Sequence, residues 1–155
     1  MAALMRPPFF AERESTMTIA IRYDSKTGNT KKLADAIAQA VGAPACLVDQ
    51  PLTEKADVLF LGSSVYAAGA SEEIKRFIAG LDAGKVGAVA CFSTAALLPS
   101  TYGQVSRLLK EKGIRVLQDE FHCRGQFHFM HKGKPDEEDL KAAAAFARRV
   151  TGDRQ

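Results

Sequence analysis

Thr18-Ile19-Ala20-Ile21-Arg22-Tyr23-Asp24-Ser25-Lys26-Thr27-Gly28-Asn29-Thr30-Lys31-Lys32, residues 18–32, decides how the rest of the chain is read. The β-branched and apolar run Thr18 to Tyr23 reads as a strand, and a loop of small polar residues leads from it straight into a helix. That helix spans about Asn29 to Val41, with Leu33, Ile37 and Val41 on one face and Gly42 placed to end it. In open α/β sheets a ligand sits at the carboxyl ends of the strands, so this loop is the first candidate for a site. It gathers the hydroxyls of Ser25, Thr27 and Thr30, the Asn29 amide and the free N–H groups of a helix start. Such a nest, with the helix dipole behind it, suits a phosphate monoester dianion without a metal or an obligatory lysine.

Outward from this stretch the pattern repeats. Further strands are expected at Ala45 to Asp49, Val58 to Gly62, Ala88 to Phe92 and Val116 to Phe121. Helices are expected after Ser71, a good N-cap, around Val105, Leu108 and Leu109 up to Gly113, and from Asp136 to near Gly152. Strands alternating with helix-period segments give an α/β parallel sheet wrapped by helices. One connection is short: Gln50 to Ala56 leaves room for a single helical turn, where parallel strands usually need a dozen or more residues.

The chain has 155 residues, a formal charge of +3 and three cysteines, Cys46, Cys91 and Cys123, without CxxC spacing. A domain of this length buries enough surface to fold without disulfides. The cysteines read as small core residues in a reducing compartment. No apolar run approaches the roughly 20 residues of a membrane span, and the start is too short for a signal peptide. A cytoplasmic protein is expected, with residues 1–16 as a flexible arm and the fold occupying 17–155. Other phosphate loops are excluded by spacing, because neither G-x-x-x-x-G-K-[ST] nor G-x-G-x-x-G follows the first strand. A phospho-acceptor receiver domain is excluded as well, since Gly62-Ser63 stands where its aspartate would be.

Ser25-Lys26-Thr27-Gly28-Asn29-Thr30 resembles the phosphate loop of flavodoxins, and Leu61-Gly62-Ser63-Ser64-Val65-Tyr66 is similar to their second flavin loop. Gly133 to Leu140 is similar to the lead-in to the last helix of some small bacterial members, and the resemblance extends from Met17 to about Val150. It implies a flavodoxin-like doubly wound sheet of five parallel strands, order 2-1-3-4-5, with helices on both faces. It also implies noncovalent FMN and one-electron transfer. Carried over, the phosphate contacts fall on Ser25, Thr27, Gly28, Asn29 and Thr30, with Lys26 contributing its backbone. Ser64, Val65, Tyr66 and Ala67 form the second loop, with Tyr66 stacked on the ring, and Ser93, Thr94 and Ala95 begin the third. Tyr102 is the nearest aromatic for the ring's other face. No catalytic residue and no metal site are assigned.

The chain departs from the family pattern in three places. Tyr66 to Ala70 and Ser93 to Leu98 carry no charge, whereas electron-carrying flavodoxins are acidic around the flavin. Ala67 stands where a glycine often follows the stacking aromatic. The third loop lacks an aromatic of its own. Neutral loops leave a second function open, a flavin-dependent quinone or small-molecule reductase of the same fold, beside the electron carrier. Residues 121–134 combine His122, His128 and His131 with Phe127, Phe129, Met130, Arg124, Lys132 and Lys134. That segment is expected to form a docking rim for a redox protein partner. No nucleic acid or membrane partner is expected, and the protein is expected to be a monomer or weak dimer.

Overall fold

Five parallel strands form the centre of the molecule in the computed structural model, which describes residues 17–65, 69–95, 100–126 and 131–152. Strand β1 (Ile19–Tyr23) lies between β2 (Ala45–Leu47) and β3 (Ala56–Val65), and β3 pairs onward with β4 (Val86–Ala95). Strand β5 (Phe121–Arg124) completes the sheet. The order is β2-β1-β3-β4-β5, the doubly wound arrangement expected. Residues 1–16, Tyr66, Ala67, residues 96–99 and Phe127 to Met130 lie outside the described residues.

Each face of the sheet is covered by two helices. Helices α1 (Asn29–Val41) and α4 (Glu137–Val150) bury Leu33, Ile37, Phe146 and Ala147 against Ile21, Phe60 and Phe92. On the other face α2 (Glu72–Ala79) and α3 (Tyr102–Glu111) bury Ile74, Phe77, Val105 and Leu109 against Leu59, Leu61 and Val89. Strands buried on both sides read as unbroken apolar runs, as β3 and β4 do. Gly62 lies beside Phe92 in register, and a Cβ there would collide with the Phe92 ring.

The helix starts follow from their caps. Ser71 accepts the Ile74 N–H at 3.2 Å ahead of α2. Asp136 accepts the Asp139 N–H at 3.0 Å, and the Asp139 carboxylate accepts the Asp136 N–H at 2.9 Å, closing a capping box on α4. The Asp139 N–H and then Lys134 hold the Asp136 carboxyl down to about 2. A carboxyl depressed on folding stabilises fully above its unfolded value and ceases to as pH falls through the folded one. Asp136→Ala is therefore expected to lower Tm at pH 7, with the gap to wild type closing as thermal melts are carried down toward pH 2.

The bounds of four strands differ most from expectation. The fifth strand does not run from Val116 to Phe121. Val116 makes an isolated bridge to Val89, the chain leaves the ladder at Gln118-Asp119-Glu120, and pairing resumes at Phe121. The polar triplet has no place between two apolar layers, and Asp119 turns outward to a two-pronged pair with Arg149 of α4 at 2.9 and 3.0 Å. Strand β2 stops at Leu47, where the Gln50 N–H closes a single turn on the Leu47 carbonyl at 3.1 Å. Strands β3 and β4 run past Gly62 and Phe92 to Val65 and Ala95, because Ser63, Ser64, Ser93 and Thr94 continue the ladder.

The short connection between β2 and β3 contains no helix. Arg22 fastens it instead, donating from Nε to the Gln50 carbonyl at 2.7 Å and from a terminal nitrogen to the Pro51 carbonyl at 3.2 Å. A cavity of about 620 Å³ remains between this connection and α2, lined by Asp24, Val48, Leu52, Phe77 and Leu81 among others.

Candidate functional site

The loop after β1 and the ends of β3, β4 and β5 meet at the carboxyl edge of the sheet, as the doubly wound topology requires. Gly28, at φ +90°, is the N-cap of α1 and brings no side chain to it. Ser25 Oγ takes over part of that task, accepting the Gly28 N–H at 3.0 Å and the Lys31 N–H at 3.3 Å. Among the described residues the N–H groups of Thr27, Asn29 and Thr30 meet no acceptor. The first turn of α1 contains no acid, whereas α2 and α4 begin with Glu72-Glu73 and Glu137-Glu138-Asp139. Acids at a helix start neutralise the positive end of the dipole, so α1 alone of these three leaves that end open to an anion.

Beneath the loop lies a chain of buried hydroxyls. Thr30 is fully buried, and its Oγ1 is 2.7 Å from Ser64 Oγ and 2.9 Å from Thr94 Oγ1. Ser64 donates onward to the Asp24 carbonyl at 3.4 Å. Donation from Thr94 to Thr30 to Ser64 to Asp24 uses each hydroxyl hydrogen once. Ser64 and Thr94 are register partners on β3 and β4, so Thr30 ties α1 to both central strands. On the opposite face the Ser63 and Thr101 hydroxyls are hydrogen-bonded, and the Ala70 N–H donates to Gln104 Oε1 at 2.8 Å.

The remaining expected residues take these places. Lys26 and Thr27 are exposed, with Lys26 3.7 Å from Glu73. Asn29 Nδ2 donates to the Gln126 carbonyl at 2.9 Å, holding the loop to the exit of β5. Ser93 is buried, and Val65 and Ala95 end their strands as a register pair. Tyr102 packs its ring against the α2/α3 core and donates its hydroxyl to the Leu117 carbonyl at 3.0 Å. Asp24, which the sequence reading did not assign, is buried with one carboxylate oxygen 2.6 Å from Ser71 Oγ. Its signal was its place at the junction of β1 and the phosphate loop.

The segment 121–134 divides. His122 Nδ1 lies 2.9 Å from Glu120 Oε2, while Cys123 packs toward α4, where burial pushes its thiol up to about 12. Lys134 pairs with Asp136 at 3.0 Å and Asp139 at 3.3 Å. Arg124 and Lys132 are exposed.

A family model described as a flavodoxin domain matches residues 20–129. An uncharacterised protein of Methanocaldococcus jannaschii is 30% identical over 136 residues, covering 79% of this chain and 89% of that protein. A flavodoxin from the domain Archaea superposes with a TM-score of 0.72 at 18% identity, covering 88% of this chain and 98% of that one. Oxidised flavodoxin 2 from Bacillus cereus gives 0.66 at 22% identity, covering 89% and 99%. The chain belongs to the flavodoxin family, whose fold and carboxyl-edge loops are those of a flavin-binding redox protein. Among the described residues no helix is long and apolar enough to cross a membrane.

Proposed function

We propose that this protein binds FMN, with the phosphate at the start of α1, and shuttles electrons between a reductase and a redox partner. The observation that carries the reading is the open N-terminus of α1, uncapped by its own N-cap residue and free of acids in its first turn. A terminal dianion supplies the acceptor that the Thr27, Asn29 and Thr30 N–H groups lack among the described residues. Thr27 offers an exposed hydroxyl beside them, and Ser25 and Thr30 hold the loop from within. The residues present thus fit the phosphate end of the cofactor, and Tyr66 is assigned to its ring. Bound FMN would supply the redox chemistry, while the chain binds and orients it and excludes water. Exposed Arg124 and Lys132 favour a partner with an acidic face docking near the flavin edge.

Titration of the apoprotein with FMN and with riboflavin tests this. FMN is expected to bind far more tightly. Thr27→Val is expected to weaken FMN by about 1.5 to 3 kcal/mol, the scale of a hydrogen bond to a charged group, and to leave riboflavin nearly unchanged. Equal losses for the two ligands would remove the phosphate from α1. NAD(P)H-dependent quinone turnover by the FMN-loaded chain alone would instead favour the reductase.

A further inference from the structure

Asp24 is held at every polar group it has. Its N–H donates to the Gly62 carbonyl at 3.0 Å, its carbonyl accepts from Ser64, and its carboxylate accepts the Ser71 hydroxyl at 2.6 Å. Ser71 in turn accepts the Ile74 N–H as the N-cap of α2, so one hydroxyl serves the carboxylate and the helix together. The residue just before the phosphate loop is thereby fastened to the residue just after the second flavin loop. Only 9% of Asp24 is exposed, and the other charged groups lining the same cavity are Asp49, Glu73, Arg76, Asp82 and Lys85. Lys26 reaches Glu73 across 3.7 Å between two half-exposed side chains, a far weaker tie between the same two segments.

We propose that Asp24 and Ser71 form a latch that positions the phosphate loop against α2, and that the latch's negative charge opposes the anion it positions. The inference rests on the flavin reading above. A single residue then carries two effects of opposite sign on FMN: the hydrogen bond orders the loop, and the charge repels a dianion through a medium that screens it less than water does. An uncharged acceptor in the same place separates them, because it keeps the bond to Ser71 and removes the repulsion. Riboflavin, which lacks the phosphate, is indifferent to the charge.

The experiment measures FMN and riboflavin affinities of the apoprotein for wild type, Asp24→Asn, Ser71→Ala and Ser71→Thr, with a thermal melt of each. Asp24→Asn is expected to bind FMN about three- to tenfold more tightly with riboflavin unchanged, the scale of one screened charge on a dianion. Ser71→Ala keeps the charge and loses the latch, so its FMN-to-riboflavin preference is expected to fall by a similar factor, and Ser71→Thr to restore it. A preference that stays constant in Asp24→Asn, or falls, overturns the proposal. So does a Ser71→Ala variant that only melts earlier, since Ser71 is then a helix cap and nothing more. A wild-type protein with no preference for FMN overturns the flavin reading itself, and the latch proposal with it.

Discussion

Thr30→Val is expected to remove about 2 to 3 kcal/mol of stability although it changes neither shape nor volume appreciably, because two buried hydroxyls lose their shared partner. Thr30 is fully buried, and Ser64 and Thr94 are only 5% and 3% exposed, so a hydroxyl left without its partner there costs its desolvation. Ser64 keeps its 3.4 Å bond to the Asp24 carbonyl, so the larger share of the loss falls on Thr94. Urea unfolding measures it. A loss within about 0.5 kcal/mol of zero, the range of an ordinary surface change, would show that the chain of hydroxyls contributes nothing. FMN affinity is expected to fall in the same variant, since the N–H groups offered to the phosphate sit on the turn that Thr30 holds down.

Phe146→Ala is expected to cost about 3 to 5 kcal/mol. Its fully buried ring stands edge-on to Phe60 with centroids 5.9 Å apart and lies 6.0 Å from Phe121, joining α4 to the central sheet and to the first residue of β5. For a domain of this size the loss lowers Tm by roughly 6 to 20 °C. Phe146→Leu fills most of the space and is expected to lose well under half as much. The site feels the change through β5, whose exit presents the Gln126 carbonyl to Asn29. A Phe146→Ala melt within about 3 °C of wild type would mean that the neighbouring rings close over the gap.

The helix starts and the strand order were legible because each rests on local chemistry. Ser71 and Asp136 cap as their positions suggest, and Gly42 ends α1 in the left-handed conformation that favours glycine. The end of the sheet was less legible. Val116 to Phe121 has the composition of a strand, yet its polar centre is drawn out of the ladder by Arg149, thirty residues away in sequence. At the site, the donor inventory of residues 25–30 was legible and its direction was not. The Thr30 hydroxyl and the Asn29 amide, read as phosphate contacts, also hold neighbouring strands, and no spacing rule tells inward from outward. A clue to the hydroxyl chain was nonetheless present: Leu61-Gly62-Ser63-Ser64 and Cys91-Phe92-Ser93-Thr94 both switch from apolar to hydroxyl residues at the same register. The second and third flavin loops were read as uncharged, and so they are, but among the described residues the buried acid is Asp24, which belongs to neither.

The outer strands carry a consequence of their own. Strands β2 and β5 have three and four residues, against ten each for β3 and β4. A sheet edge is a template onto which another chain can add, and its hazard grows with the length of unpaired backbone it presents. Here the long, apolar strands are enclosed, and the borders that a second molecule would meet are too brief for a stable ladder. On β5 the border also ends in the exposed charge of Arg124. The sheet is thereby protected against runaway self-association at the two places where an open α/β architecture is most exposed to it.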